Sequence, residues 1–364
     1  MTRIAKIERA ERLARCAAAM QDSGADCVVL PPGANFSYFT GLTPVRERYR
    51  LFVAVAHADA SLDLMGPRFE ERHLSSCDVV ARVHLFDDDE DQYALLSRII
   101  SSRCGARPRV GLELNAAYHH FLGLTAAAPN AVLVDPTPAT DGLRALKSPA
   151  EIACLREAAA RTVARMDRVP AQLREGMSER ELASEFGPSA MVQIGRTTSL
   201  PNESGGNERL RAGDAIVIDA GDRVEGYRSD VTRTFFFGTP SPRMREIYGI
   251  VREAETAAID AARPGAKAEE VDLAARRVIE RAGYGPLFTH RGGHGIGLEF
   301  HEAPLCVRGN EKPLVPGMVL TAEPGIYLPG EFGVRLEDDI LITETGCEVL
   351  SGPGPSPLAP LPQS

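Results

Sequence analysis

Five candidate metal ligands stand in separate strings of the C-terminal half: Asp219 in IVIDAG, Asp230 in GYRSDVTRTF, His294 in GGHGIGLEFHE, Glu323 in LTAEPGIY and Glu337 in GVRLEDD. Any fold that uses them must bring five positions, far apart in sequence, to one centre. Four hard carboxylates and one imidazole suit a pair of divalent cations better than a single one. Two adjacent cations need several charges to neutralise them and a carboxylate to bridge. Cations about 3.5–4 Å apart clamp a hydroxide nucleophile and a polarised carbonyl in one place, which is hydrolytic chemistry.

The local patterns fit such a centre. Residues 215–220, AIVIDA, read as a strand with Ile216 and Ile218 on one face and Val217 and Asp219 on the other. Tyr227 to Phe236 reads as the returning strand, entered through Gly226, with Arg228, Asp230, Thr232 and Thr234 on one face. A hairpin of this kind sets the two aspartates side by side, where repulsion calls for a cation or a proton between them. Taken singly, either aspartate reads as a strand-end residue; taken with the other strings, it reads as a ligand.

His290, His294 and His301 fall within twelve residues, among glycines that let backbone approach a crowded centre. His294 is the ligand candidate; the other two are spaced for contacts to substrate or to the ligands. Glu323 closes a strand before Pro324-Gly325. In GVRLEDDILI a period of two aligns Arg335, Glu337 and Asp339, so Arg335 is placed to orient Glu337 or to hold a carboxylate in bidentate fashion.

A length of 364 residues points to two domains. The formal charge of −9 argues against a nucleic-acid partner, which selects a basic face. Part of that charge lies in Asp87, Asp88, Asp89, Glu90 and Asp91, read as a solvated loop or helix start. Seven scattered cysteines without a C-x-x-C pair fit reduced thiols. The N-terminus reads as an amphipathic helix over 3–22 rather than a signal peptide, and no run of 18 apolar residues offers a membrane span. A cytoplasmic protein with no membrane partner is expected.

Residues 1–142 alternate helices with strand candidates CVVL from Cys27, LFVAVA from Leu51, SLDLM from Ser61, VVARVHLF from Val79 and VGLEL from Val110. This predicts an α/β domain around a buried sheet. Ser148 and Glu151 form a capping box with Pro149 at the first helical position. The helix it opens carries an apolar stripe of Ile152, Leu155, Ala159, Val163 and Met166. A second domain is therefore expected over 143–350, with a second capping box at Ser178–Glu181 and helices after Pro242 and Lys267. The proline-rich segment 351–364 reads as a disordered tail.

Together these strings resemble the pita-bread metallopeptidases, a family that includes methionine aminopeptidase, Xaa-Pro aminopeptidase and prolidase. NFSYFTGL from Asn35 and LRALKSPAEI from Leu143 are similar to family stretches outside the active site. The resemblance implies a creatinase-type α/β N-terminal domain followed by an α+β pita-bread catalytic domain. It implies that Asp219 chelates one metal, that Asp230 and Glu337 bridge two, and that His294 and Glu323 complete the second. It also implies a metal-activated hydroxide, Glu323 as general base and His301 on the substrate carbonyl. His290 and Arg335 would border the pocket for proline. The expected activity is hydrolysis of the Xaa-Pro bond in dipeptides by a homodimer carrying two divalent metals, manganese foremost, with cobalt, zinc or iron as alternatives.

One position departs from the family pattern. Where relatives usually have proline-histidine ahead of the metal strand, this chain has Pro201-Asn202. Asn202 keeps a donor and an acceptor but cannot titrate near neutrality. Three readings stay open: an Xaa-Pro peptidase acting on dipeptides or longer peptides, a non-peptide hydrolase or lyase of the same fold, and a binding module that keeps the fold alone.

Overall fold

Short apolar runs in the first 144 residues build one mixed sheet. Its strands are β1 (Cys27–Leu30), β2 (Val53–His57), β3 (Leu62–Pro67), β4 (Arg82–Phe86), β5 (Arg109–Leu112) and β6 (Val132–Val134), in the order β4-β3-β2-β1-β5-β6. β2 runs antiparallel to β1 and β3, and the other pairings are parallel. The computed structural model describes residues 4–43, 45, 49–187, 189–203 and 206–352; of the tail, only Ser351 and Gly352 fall among them. Two compact units are formed, Met1–Arg144 and Ala145–Ser364.

In the first unit, β1, β2 and β3 are buried along their length, which is why they read as continuous apolar runs. One sheet face sets Cys27, Val29, Val53, Val55 and Met65 against Leu96, Ile99 and Ile100 of the helix Gln92–Cys104 and Leu124 of the helix Tyr118–Ala127. Asp91, the last of the acidic run, caps the first of these helices by accepting from the Tyr93 and Ala94 amides. The strand expected from Val79 starts only at Arg82. Short elements escape the sequence patterns, among them the seven-residue helix Ala34–Thr40 and the three-residue edge strand β6, both too short for a period to show.

The second unit holds the sheets β11-β8-β7 and β13-β12-β14-β17-β18 and two ribbons, β9–β10 and β15–β16. The strands are β7 (Met191–Ile194), β8 (Ala215–Ala220), β9 (Arg223–Val224), β10 (Tyr227–Arg228), β11 (Val231–Phe236), β12 (Gly293–Gly295), β13 (Glu302–Cys306), β14 (Val319–Ala322), β15 (Gly325–Leu328), β16 (Phe332–Arg335), β17 (Asp338–Ile342) and β18 (Cys347–Val349). The helices Pro242–Ala261 and Ala268–Arg281 bury Ile247, Val251, Val271 and Ile279 against Leu320, Ile326, Val334 and Ile340. Ile216, Ile218 and Phe235 pack in a separate core with Met166, Leu182 and Ile194.

The helix Pro149–Met166 starts at the Ser148–Glu151 box, and its buried face keeps Leu155, Ala159 and Met166 of the expected stripe but turns away from the other two members. Cys154, Ala158 and Thr162 are buried, whereas Ile152 and Val163 are half-buried. The cause is polar: Tyr227 donates to Glu151 Oε1 at 2.7 Å, and the Thr162 and Ser229 hydroxyls lie 2.8 Å apart, which sets the docking face. No helix among the described residues is long and apolar enough to cross a membrane.

Candidate metal centre

Each sheet delivers charged residues from the ends of apolar strands. β8 and β11 pair antiparallel with Asp219 opposite Thr232. Tyr227–Phe236 is therefore not one strand: β10 turns back on β9, and β11 begins at Val231. Asp230 precedes the ladder, so it lies diagonally across from Asp219 instead of beside it. The Asp230 amide donates to both Asp339 oxygens, at 3.3 and 3.2 Å.

His294 is the middle residue of β12, between glycines that the packing requires. A Cβ on Gly293 would stand 2.0 Å from the Thr321 carbonyl oxygen, and one on Gly295 would stand 2.2 Å from that of Ala303. His294 Nδ1 lies 3.1 Å from the Gly295 carbonyl oxygen, an acceptor only, so Nδ1 carries the proton and Nε2 is left with a lone pair. Nε2 is 3.4 Å from Glu323 Oε1 and 4.0 Å from Asp230 Oδ2.

The run Arg335–Asp339 is also not one strand. β16 pairs with β15 and β17 with β14, and between them Glu337 leaves both ladders to bridge Thr232. Arg335 consequently does not bind Glu337. Its Nη2 donates to Asp219 Oδ2 at 2.6 Å, its Nε to Thr232 Oγ1 at 3.2 Å and its Nη1 to the Tyr327 hydroxyl at 3.1 Å. His290 Nδ1 faces the Arg291 carbonyl oxygen at 2.8 Å and therefore donates, so Nε2 accepts from the Tyr327 hydroxyl at 2.8 Å.

One cavity of about 410 Å³ is lined by Asn202, Asp219, Asp230, His290, His294, His301, Glu323, Arg335 and Glu337, together with Arg291, Leu305 and Val307. All nine residues singled out from the sequence thus meet there. Asn202 and His301 are exposed at its rim, whereas Asp230, His294 and Glu337 are buried. The additional members carried weaker signals. Arg291 is merely the neighbour of His290, Leu305 and Val307 look like ordinary strand residues, and Tyr327 gave no sign of its place behind Arg335.

The electrostatics describe a site with more carboxylates than cationic side chains. Burial, then Glu337 and Asp219, push the Asp230 carboxyl well above its ordinary range; burial, then Glu323 and Asp219, do the same to Glu337. Burial pushes Glu323 up to about 7, against the pull of Arg335 and Arg291. His294 is pushed down to about 3 by burial and by His301, and is neutral. Ligand atoms of Asp230, His294 and Glu337 all lie within 4.8 Å of one another. Donors on opposite sides of a cation, each about 2.1 Å from it, stand about 4 Å apart, so this set fits a small divalent ion. Oxygen donors with one imidazole nitrogen suit that class of ion.

The comparisons with known proteins agree with this chemistry. The model of metallopeptidase family M24 matches residues 153–344, and that of the creatinase/prolidase N-terminal domain matches residues 12–146. The chain is 36% identical over 355 residues to the probable dipeptidase PepE of Mycobacterium tuberculosis, covering 93% of this chain and 92% of that protein. It is 33% identical over 342 residues to the Xaa-Pro dipeptidase of Lactobacillus helveticus, covering 90% and 93%. The crystal structure of a prolidase from Thermococcus sibiricus superposes with a TM-score of 0.88 at 33% identity, covering 94% of this chain and 96% of that one. The fold is accordingly a creatinase-type N-terminal domain followed by a pita-bread catalytic domain, and family membership implies divalent metal cofactors. A metallopeptidase sequence model over the unit where the carboxylates converge, and a matching N-terminal domain before it, place the chain in metallopeptidase family M24.

Proposed function

We propose that the protein hydrolyses the Xaa-Pro bond of dipeptides. The observation that carries this reading is Arg291. Arg291 lines the ligand cavity, its Nε is buried without a hydrogen bond, and it forms no ion pair among the described residues, although its charge pulls on the Glu323 carboxyl. A dipeptide places a free carboxylate one residue beyond the scissile bond, where an unpaired arginine can hold it. The similarity to a protein named Xaa-Pro dipeptidase supports the same substrate class.

In this reading Asp219, Asp230, His294, Glu323 and Glu337 would hold the cations. Bound there, the cations supply a nucleophile from water at neutral pH and polarise the scissile carbonyl. Glu323 accepts the proton of the attacking water and delivers it to the proline nitrogen as the C–N bond breaks. His301 donates to the carbonyl oxygen as that atom gains charge. Leu305 and Val307 offer an apolar wall to the proline ring, whose imide nitrogen has no hydrogen by which to be recognised. His290, tied to Tyr327, and Arg335, tied to Asp219, keep the acidic side chains in place.

The carboxylate-rich donor set favours manganese as the metal, with cobalt, zinc or iron also accommodated. The seven free cysteines accord with a cytoplasmic protein, and the active form is taken to be a homodimer. The test is proline release from Leu-Pro by manganese-loaded protein, beside a chelator-treated control and the substrates Leu-Pro-amide and Leu-Pro-Gly. Chelator-sensitive turnover of Leu-Pro alone fits the proposal, whereas preference for Leu-Pro-Gly makes the protein an aminopeptidase. Asn202, exposed at the cavity rim where the family usually has histidine, favours one further reading. No peptide turnover with two metals bound would turn the assignment to a non-peptide hydrolase or lyase.

A further inference from the structure

The first unit gathers a second set of reactive side chains that peptide hydrolysis does not use. Cys27 opens β1 and stands directly across from His57, the last residue of β2, so both lie on the sheet face under the helix Gln92–Cys104. Cys104, which ends that helix, packs against the core cluster that holds Cys27, and its thiol feels both the Cys27 thiol and the His57 ring. Arg103, one residue earlier, donates to Asp59 Oδ2 at 3.1 Å and to Asp63 Oδ1 at 3.5 Å, which holds the last helical turn over the β2–β3 hairpin. Asp63 Oδ2 is 3.5 Å from His57 Nε2 and 3.3 Å from His84 Nε2. His57 is only 2% exposed, yet neither of its ring nitrogens makes a hydrogen bond. A buried imidazole with no hydrogen bond, only a carboxylate at 3.5 Å, is costly, and such groups occur where they do chemistry.

We propose that Cys27 and Cys104 are an oxidisable dithiol: a hydroperoxide oxidises Cys104, Cys27 closes the disulfide, and His57 handles the thiol proton. His57 takes the proton of Cys104, and the thiolate attacks one peroxide oxygen. The O–O bond breaks, the leaving hydroxide recovers that proton as water, and Cys104 becomes a sulfenic acid. Cys27 then attacks the Cys104 sulfur, the S–S bond forms as the S–OH bond breaks, and a second water leaves with the Cys27 proton. Two thiols lose two electrons and two protons, and one hydrogen peroxide becomes two waters.

The two cysteines divide these roles by position. Cys104 is half-buried and open to a small oxidant, while Cys27 is fully buried and suited to resolve it. The neighbouring Cys27 thiol and then the His57 ring hold the Cys104 thiol below its ordinary range against burial, and Cys27 is pushed well above it. A helix C-terminus disfavours a thiolate, so the neighbouring groups must outweigh the helix here.

The test treats the full-length protein with stoichiometric hydrogen peroxide at pH 7, counts thiols in denaturant and maps peptides by mass spectrometry. Two of the seven thiols should disappear, in one Cys27–Cys104 cross-linked peptide that dithiothreitol reverses. Cys104→Ser should leave Cys27 reduced, and His57→Asn should slow alkylation of Cys104 about tenfold. Three outcomes overturn the proposal: a cross-link to any other cysteine, Cys104 over-oxidised without a cross-link, or alkylation of Cys104 unchanged in His57→Asn. Should the His57 variant fail to fold, the peptide map of the unaltered protein decides alone.

Discussion

The Thr232 hydroxyl donates to Glu337 Oε2 at 2.6 Å, joining a strand of one sheet to the break between two strands elsewhere. The Thr232 hydroxyl oxygen in turn accepts from Arg335 Nε, and Arg335 also grips Asp219. Two charged groups thus share one small side chain and Arg335 links a third, which fixes where Glu337 points. Thr232→Val keeps the shape and removes the hydroxyl. Manganese affinity should fall by about 10–100-fold with the fold retained; metal titration followed by circular dichroism checks both. Unchanged affinity would show that Glu337 is held by backbone alone.

Glu323→Gln removes the proposed proton carrier and one charge while preserving volume. Turnover of Leu-Pro at saturating manganese should fall by about 10²–10⁴-fold. Activity near the unaltered level would remove Glu323 from the mechanism.

Arg291→Ala should raise KM for Leu-Pro by about 10–100-fold, the loss expected of a charge-assisted pair. Leu-Pro-amide, which lacks the carboxylate, should be hydrolysed equally by both proteins. An equal loss on both substrates would mean that Arg291 shapes the cavity and does not bind carboxylate.

Metal-free protein should lose stability as pH rises from about 6.5 to 8. Asp230, Glu323 and Glu337 have raised folded values, so in this window the folded chain binds more protons than the unfolded one, and stability falls with pH. His290 and His294, pushed down to about 4 and about 3 chiefly by burial, act in the opposite sense, but only below the ordinary histidine range. Added manganese should flatten the trend. Melting temperatures across pH, with chelator and with metal, check the sign; a rise in the chelated protein would contradict it.

Asn202→His restores a titratable group at the cavity rim. Leu-Pro turnover should increase if the asparagine is only a weakened substrate contact. A loss would indicate a pocket built around asparagine and shift weight to a non-peptide substrate.

Much of the site was legible because each ligand sits in a short string with its own local logic. Asp219 ends an apolar strand, Glu323 precedes Pro-Gly, and His294 lies between glycines whose missing side chains leave room for the Thr321 and Ala303 carbonyls. The helix starts were equally plain, since Ser148 with Glu151 and Ser178 with Glu181 satisfy their amides locally. The pairing partners were not legible. Periodicity continues smoothly through Arg335–Asp339 and through Tyr227–Phe236, yet both runs break where a residue is drawn to a partner elsewhere in the fold.

The sequence alone determined which residues to expect at one centre, where the helices begin and which strands are buried, because those properties rest on residue type and short spacing. Only the tertiary structure decided that Arg335 grips Asp219 and not Glu337, that Tyr327 stands behind His290, and that the buried Nε of Arg291 is left without a hydrogen bond. Such relationships join positions tens of residues apart, and local periodicity carries no information about them. The Cys27–Cys104 approach is of the same kind: a strand start meets a helix end only after the sheet has formed and the helix has packed across it.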